Sequence, residues 1–239
     1  MTNEKQNIGK LFDRIAGKYD FLNHLLSLNI DKWWRKKAAQ SIVRDTEGGQ
    51  CLDVAIGTAD LAIEMARQLN GDAQPANYHI IGIDLSTEMM RIGEAKVKKR
   101  NLQHCITFSE ASALQMPFND DTFKVVTCAY GVRNFADLDQ GLSEMHRVLK
   151  PEGQLMILEF SYPKNQFIAW VYDLYFTHVL PAIGKLLSKD KTAYSYLNRS
   201  VKNFVWGHEM CDRITKAGFR QVAHKPITFG ITTIYTARK

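Results

Sequence analysis

The sequence predicts an α/β protein built on a doubly wound, mostly parallel sheet of seven strands. Short apolar runs alternate with amphipathic segments along most of the chain, which is the pattern of successive β-α-β units. The chain of 239 residues, 45% of them hydrophobic, is long enough for one well-buried domain and short for two. We therefore expect residues 1–239 to form a single domain.

The predicted strands are short, often β-branched and bounded by turn residues. They cover 51–55, 79–84, 106–109, 125–129, 155–160, 221–223 and 231–235. Between them, apolar residues recur at helical spacing. This spacing predicts helices over 59–69, 87–98 and 138–149.

Two segments depart from this alternation. Residues 1–44, predicted as an N-terminal helical cap, carry nine basic and four acidic side chains and so hold five of the six net positive charges. Residues 161–206, predicted as a helical insertion before the last two strands, contain 10 of the 25 aromatic residues. This is more aromatic surface than one helix face can bury, which favours an apolar cavity or a lipid-facing patch over plain core packing.

Composition also indicates the cellular compartment of the protein. The four cysteines have no C-x-x-C spacing and no matching histidine cluster, so neither a disulfide framework nor a metal site is expected. The longest uncharged apolar stretch, 174–184, has 11 residues, against about 20 needed to span a bilayer. We expect a cytoplasmic protein. The basic run around Trp33 and Trp34 allows a peripheral position on the inner face of the membrane.

The segment 51–60, CLDVAIGTAD, predicts a buried strand, a tight turn and a helix start that can face an anionic ligand. Gly57 is the expected point of closest approach, and the dinucleotide fingerprint G-x-G-x-x-G is absent. Asp84 ends the second strand 27 positions later, where a carboxylate can accept hydrogen bonds from a ribose diol. A nucleoside is therefore the expected ligand. The alternative for Asp53 and Asp60 is helix capping or loop stabilisation.

Two longer segments resemble a known family. Residues 19–27, YDFLNHLLS, with Trp34-Arg35, and residues 147–155, RVLKPEGQL, with 158–161, LEFS, are similar to the two signatures of the quinone C-methyltransferases of menaquinone and ubiquinone biosynthesis. The resemblance extends over essentially the whole chain. It departs at Leu22, Asp31 and Glu152, where the family usually has Met, His and Gly. It implies a Rossmann-like methyltransferase fold and S-adenosylmethionine as cofactor.

The resemblance also implies roles for individual residues. It places Gly57 and Thr58 at the methionine end of the cofactor and Asp84 at its ribose. Ser112 and Ala113 would lie at the adenine, and Asp53 would hold the first loop. The expected cofactor residues are thus Asp53, Gly57, Thr58, Asp84, Ser112 and Ala113.

The segment 131–134, Gly-Val-Arg-Asn, corresponds to the substrate-side loop of the family. A quinol ring carbon becomes nucleophilic as the adjacent hydroxyl ionises, and the cation of Arg133 could stabilise that phenolate without titrating. Arg133 is the expected catalytic residue, with Tyr19 and Asn134 on the substrate. The alternative is that Arg133 pairs with an acidic neighbour. The general base is left open among Tyr19, His24 and His178.

The leading functional hypothesis is the methylation of a prenylated quinol, demethylmenaquinol first, with the ubiquinone-pathway 2-methoxy-6-polyprenyl-benzoquinol as the alternative. The expected partners are this quinol and the membrane surface, with no nucleic acid. Two other classes stay open. One is a nucleoside-binding module without catalysis. The other is a nucleic-acid methyltransferase, which the absence of a Pro-Pro-aromatic loop after the fourth strand disfavours.

Overall fold

The computed structural model describes residues 8–43, 47–71, 77–175, 177, 199–201 and 203–239. The strands are β1 Gly49–Val54, β2 Tyr78–Asp84, β3 Ile106–Glu110, β4 Phe123–Ala129, β5 Leu149–Phe160, β6 Arg220–Ile227 and β7 Thr232–Arg238. The described helices are α1 Ile8–Leu26, α2 Ile30–Gln40, α3 Asp60–Asn70, α4 Thr87–Lys99, α5 Leu138–Val148, α6 Gln166–Leu174 and α7 His208–Lys216. Short 3-10 turns cover Val132–Asn134 and Thr228–Gly230.

The seven strands form one sheet in the order β3-β2-β1-β4-β5-β7-β6. Strands β1 to β5 run parallel, and β7 runs antiparallel between β5 and β6. After β3 the chain returns to the other side of β1, so the strand order reverses between β1 and β4. In open α/β sheets, ligands bind at such a reversal, outside the carboxyl ends of the strands. The predicted fold class is therefore confirmed.

All seven predicted strands are present, and the largest differences are in length. Strand β6 continues past the predicted end at 223 to Ile227 and includes Pro226. An edge strand accepts proline because one side of its backbone needs no ladder partner, and β6 is the last strand of the sheet. Strand β5 begins at Leu149, six residues before the predicted start, and a register shift against β4 accommodates the extra turn residues.

Helices cover both faces of the sheet. On one face, α2, α3 and α4 enclose an apolar cluster that includes Trp34, Met65 and Ile80. On the other face, α5 and α7 pack on a second cluster that includes Leu52 and Leu142. Helix α1 packs against α4 and α2. Because β1 is buried on both faces, its last residues are held rigidly where the chain turns into α3.

Candidate functional site

The loops after β1, β2 and β3 meet at the carboxyl edge of the sheet. The Gly57 amide donates to Asp84 Oδ2 at 2.8 Å, and the Ser86 amide donates to Asp84 Oδ1 at 2.9 Å. The Ala111 amide in turn donates to the Asp84 carbonyl at 3.2 Å. Burial raises the pKa of the Asp84 carboxyl, while these backbone N–H groups oppose the rise. The two residues that the sequence singled out for a nucleoside, Gly57 and Asp84, are therefore in direct contact.

Two turns at this edge have strained backbones. Ala55 after β1 has φ 57° and Tyr130 after β4 has φ 58°, in the left-handed region that non-glycine residues seldom adopt. Gly131 lies between them, and a Cβ there would lie 2.7 Å from Ala55 Cβ and 2.7 Å from Cys128 Sγ. The two turns thus pack directly on each other. Such strain is concentrated at functional sites in proteins, and neither left-handed turn was predicted from the sequence.

Asp53 lies beneath the first loop and is 1% exposed. Its Oδ1 accepts a hydrogen bond from Thr127 Oγ1 at 2.8 Å, across the β1–β4 pair. Burial raises the pKa of Asp53 to about 7 despite this bond, and the nearby Asp84 charge adds to the rise. The side chain is thus held inside the sheet, under the first loop. Asp60, the second residue in the capping alternative, lies in the first turn of α3 and pairs with a lysine instead.

Helix α1 is fastened to the first loop by an ionic cluster that the sequence analysis missed. Asp20 Oδ1 accepts from Thr58 Oγ1 at 2.5 Å, and Asp20 Oδ2 pairs with Lys96 Nζ at 2.8 Å. Lys96 also donates to Asp60 and, at 3.2 Å, to Thr58 Oγ1. The hydroxyl of Thr58 is therefore engaged by both α1 and α4. In the sequence, Asp20 is 38 positions from Thr58 and 76 positions from Lys96.

Arg133 is buried and forms an ion pair with the fully buried Glu159. Its Nη1 lies 2.7 Å from Glu159 Oε1 and donates to the Tyr130 carbonyl at 2.5 Å. The Arg133 amide also donates to Glu159 Oε2 at 3.3 Å. The pairing with an acidic neighbour, kept open as an alternative, is thus present in the structure. A carboxylate inside the apolar strand segment 155–160 was the sequence signal for this partner.

Aromatic rings surround this pair. The rings of Tyr130 and Phe160 lie 4.5 Å apart, and the Arg133 guanidinium carbon lies 5.2 Å from the Phe160 ring centre. Arg35 of α2 places its guanidinium carbon 5.5 Å from the Tyr130 ring centre. Burial raises the pKa of the Tyr19 phenol, and the charges of Arg133 and Arg35 oppose that rise. Tyr19 of α1 is therefore within electrostatic range of both arginines.

The remaining predicted residues differ in exposure. Ser112 and Ala113 are partly exposed beyond β3, and the Ser112 hydroxyl accepts from the Leu114 amide at 3.2 Å. Asn134 is buried, and its amide nitrogen lies 3.5 Å from the Tyr130 carbonyl. Gly57 and Asp84 are also partly exposed, whereas Thr58 and Arg133 are buried. The structure brings Gly57, Asp84, Ser112 and Ala113 to one rim at the carboxyl edge of the sheet, with Asp53 beneath the first loop. Arg133 and Asn134 are buried in the turn after β4.

The two adjacent tryptophans have opposite environments. Trp34 is buried, packs edge to face on Phe160 at 6.3 Å and donates from Nε1 to Thr228 Oγ1 at 2.7 Å. Trp33 is 45% exposed, and Lys37 Nζ lies 5.8 Å from its ring centre. Only Trp33 is therefore available to a partner. No described helix is long and apolar enough to cross a membrane. His178, Tyr194 and Tyr196 lie outside the described residues.

The rim can accept the hydroxyl groups of a nucleoside. Asp84 is partly exposed, and each carboxylate oxygen, with one backbone N–H bound, has a lone pair left for a hydroxyl donor. Above Gly57, the nearest atom to an added Cβ is Met89 Cε at 3.9 Å, so the backbone can be approached closely. Within the described ranges, no group of three or more His, Cys, Asp or Glu side chains could hold a metal ion.

The sheet order, the β1 turn and the Asp84 rim define an α/β protein with a Rossmann-like fold. A solved S-adenosylmethionine-dependent methyltransferase from Thermotoga maritima, a possible histamine N-methyltransferase, has this fold, with a TM-score of 0.66 at 16% identity over 96% of this chain and 99% of that one. Comparison of the sequence with protein families identifies the family. The chain belongs to the ubiE/COQ5 methyltransferase family, whose model matches residues 1–239. The predicted family, enzyme class and methyl donor are thereby confirmed.

Two curated relatives are similar over nearly their full length. The demethylmenaquinone methyltransferase of Bacteroides fragilis is 44% identical over 99% of this chain and 94% of its own. The ubiquinone/menaquinone biosynthesis C-methyltransferase UbiE of Geobacter sulfurreducens is 46% identical over 100% of this chain and 91% of its own. Both matches therefore include the segments that form α1 and α2.

Proposed function

We propose that this protein transfers a methyl group from S-adenosylmethionine to a ring carbon of a prenylated quinol, with demethylmenaquinol as the preferred acceptor. The observation that carries the proposal is the full-length similarity to proteins named for that reaction. The second candidate acceptor is 2-methoxy-6-polyprenyl-benzoquinol, because one of these relatives is named for both pathways. The predicted C-methylation of a quinone agrees with both names.

We propose that the partly exposed rim binds the cofactor. Asp84 would accept hydrogen bonds from the ribose, Ser112 and Ala113 would line the adenine, and the Gly57–Thr58 backbone would face the methionine end. When bound, S-adenosylmethionine supplies a methyl group on a sulfonium, already activated for attack. The protein therefore has to align the acceptor and make its ring carbon nucleophilic. Asp53 would keep the loop in place from below.

Arg133 is the proposed catalytic residue. Removal of the quinol hydroxyl proton places negative charge on the ring, and a fixed guanidinium stabilises that charge. The ring carbon would then take the methyl group that S-adenosylmethionine supplies, with the thioether as leaving group. Loss of the ring proton would restore aromaticity, and the ring oxygen would regain a proton to give the methylated quinol. Glu159 already balances part of the Arg133 charge, which holds the side chain in one position and limits how much phenolate charge it can offset. Tyr19 and Asn134 would position the quinol.

Removing only one member of this pair would confound the test. Arg133→Gln leaves the buried Glu159 carboxylate unpaired, which typically costs about 3 to 5 kcal/mol of stability. In the double variant Arg133→Gln/Glu159→Gln both charges are gone, and the protein should fold. We expect this variant to bind S-adenosylmethionine with unchanged affinity and to turn over at least about tenfold more slowly. Wild-type turnover with saturating quinol would assign the role to another residue.

We also propose an arrangement of the chain around the site. Residues 1–44 would act as a helical cap over the cofactor, and residues 161–206 as an insertion on the substrate side, within a single domain. The quinol carries a long apolar chain, so the protein would work at the inner surface of the membrane, bound peripherally. The basic excess of residues 1–44 supports this location. Binding to anionic vesicles should weaken as salt is raised.

The decisive experiment supplies methyl-labelled S-adenosylmethionine with one acceptor at a time, each kept reduced. Label in menaquinol supports the preferred acceptor, and label only in the benzoquinol product selects the second candidate. If the protein binds S-adenosylmethionine but labels neither lipid, a nucleoside-binding module is supported instead. Asp84→Ala is the control, since loss of its carboxylate should lower both cofactor binding and labelling at a cofactor concentration near the wild-type dissociation constant.

A further inference from the structure

Helix α6 has an apolar face directed to solvent. Phe167, Trp170, Val171 and Leu174 are 69%, 61%, 44% and 46% exposed. They recur at i, i+3, i+4 and i+7, so they form one stripe along the helix, here called the outer face of α6. The helix contains no lysine, arginine or glutamate, and its one aspartate lies off this stripe. Four large apolar side chains together are more than the scattered exposure of an ordinary surface.

The opposite face of α6 borders the candidate substrate site. Tyr172 is buried, and its ring lies 5.7 Å from that of Tyr162. The pKa of the Tyr172 phenol is raised by burial, and the charge of Arg133 opposes the rise, which places this phenol within electrostatic range of the Arg133–Glu159 pair. Helix α6 therefore has one face exposed to solvent and the opposite face buried, with Tyr172 turned inward.

Other exposed aromatic side chains lie at the same edge of the sheet. Phe229, in the turn before β7, is 77% exposed. A Cβ on the adjacent Gly230 would lie 3.6 Å from Pro163 Cα, in the link that leads into α6. In the same turn, Thr228 Oγ1 accepts the hydrogen bond from Trp34 Nε1. This contact brings α2, with its exposed Trp33, to this edge. Trp33, Phe229 and the outer face of α6 thus belong to one end of the molecule.

The charge around these side chains is positive. Lys164 is exposed just before α6, and α2 exposes Lys32, Lys36 and Lys37. The single acidic residue of α2, Asp31, is buried and paired with Arg35 and His24. Apolar and aromatic side chains with lysines at their margin match the interface of a bilayer. The apolar side chains can contact acyl chains there, and the lysines can contact anionic headgroups.

We propose that the outer face of α6, flanked by Trp33 and Phe229, is the surface through which this protein docks on an anionic lipid bilayer. This inference rests on the proposed function, because a prenylated quinol is held in the membrane. Docking on this face would leave the Tyr172 side of α6 directed to the site. The ring of a quinol leaving the bilayer would then reach Arg133 by passing beside one helix.

The first experiment measures binding of the full chain to vesicles of phosphatidylcholine with and without phosphatidylglycerol. Phe167→Ser/Trp170→Ser should lower the partition onto mixed vesicles by about tenfold or more. Val43→Ser is the matched control, because Val43 is exposed next to Gln154, at the opposite end of the sheet, and should leave binding unchanged. Brominated acyl chains should quench tryptophan fluorescence in the wild type and much less in Trp170→Phe.

The second experiment separates this inference from the proposed function. With a short-chain, water-soluble quinol, Phe167→Ser/Trp170→Ser should keep wild-type turnover, and with the long-chain quinol in vesicles it should lose it. If the wild type methylates neither quinol, the proposed function fails while the vesicle result still decides the docking surface. Unchanged vesicle binding by the double variant, or no bromine quenching of the wild type, would overturn the inference. So would a self-association that the double variant abolishes in the absence of vesicle binding.

Discussion

The buried carboxyl of Asp53 makes the stability of the protein depend on pH in a predictable direction. Its pKa is about 7 in the folded state against 3.8 for an unperturbed carboxyl. At pH values above the unfolded pKa, Asp53 ionises in the unfolded chain but keeps its proton in the folded protein. The free energy of unfolding therefore falls as pH rises. The favourable contribution is complete below the unfolded value and is lost as pH passes through the folded value.

The variant Asp53→Asn removes this titration and keeps an oxygen that can accept the Thr127 hydrogen bond. A difference of about 3 pKa units corresponds to about 4 kcal/mol in full. Most of this loss of stability in the wild type occurs between about pH 5 and about pH 8. Over that range the free energy of unfolding of the variant should rise by about 2 to 3 kcal/mol relative to that of the wild type. Above about pH 8 the difference should level off, because Asp53 is then ionised in both states.

Urea denaturation followed by circular dichroism at each pH measures the two free energies of unfolding. Subtracting the curves cancels the other titrating groups, which are common to both proteins. Asp212→Asn, which removes an exposed carboxyl of α7, is the control for the loss of one acidic side chain. A difference for Asp53→Asn that is constant from pH 5 to pH 8 would show that the buried carboxyl is not protonated near neutrality, and the reasoning would fail.

Three further predictions concern the rim and its support. Asp84→Ala should weaken S-adenosylmethionine binding by about tenfold to a hundredfold, since bonds to a charged group contribute about 1.5 to 3 kcal/mol; unchanged calorimetric affinity would place the ribose elsewhere. Gly131→Ala should lower the free energy of unfolding by about 1 to 3 kcal/mol, because its Cβ would meet two neighbours at 2.7 Å, whereas Gly17→Ala, with nothing within 4 Å, should not destabilise the protein. Lys96→Met leaves Asp20 and Asp60 without their shared cation, so proteolysis within α1 should accelerate; an unaltered cleavage rate would mean that other contacts hold the helix.

The sequence was sufficient for the sheet because periodicity is a local property. Each strand and each of the three predicted central helices could be located from residues within it. The Gly57–Asp84 contact was also predictable, since parallel strands end at the same edge and both residues follow strand ends. Asp53 was placed at the loop, although its complete burial depends on α3 and β4 covering β1 from both sides.

The rest of the site depends on contacts between distant residues. The cluster of Asp20, Thr58 and Lys96 joins three helical or loop segments, and no spacing rule connects them. The partner of Arg133 was foreseen only as an unnamed acidic neighbour, because the choice of Glu159 requires the register of β4 and β5. Trp33 and Trp34 were treated together, and which of the two faces inward follows from the orientation of α2.

The left-handed turns at Ala55 and Tyr130 bear on how the protein responds to its cofactor. Their conformational cost, of order 1 to 3 kcal/mol each, is present whether or not a ligand is bound, so it lowers the stability of the fold and not the affinity of the site. Turns that already have this conformation in the free protein need no rearrangement when a nucleoside binds. Little binding free energy is then lost to ordering the backbone. Hydrogen exchange at these two turns should accordingly be slow in the free protein and change little when cofactor is added. The flexibility required for turnover would then lie elsewhere, in the helical segments that cover the rim.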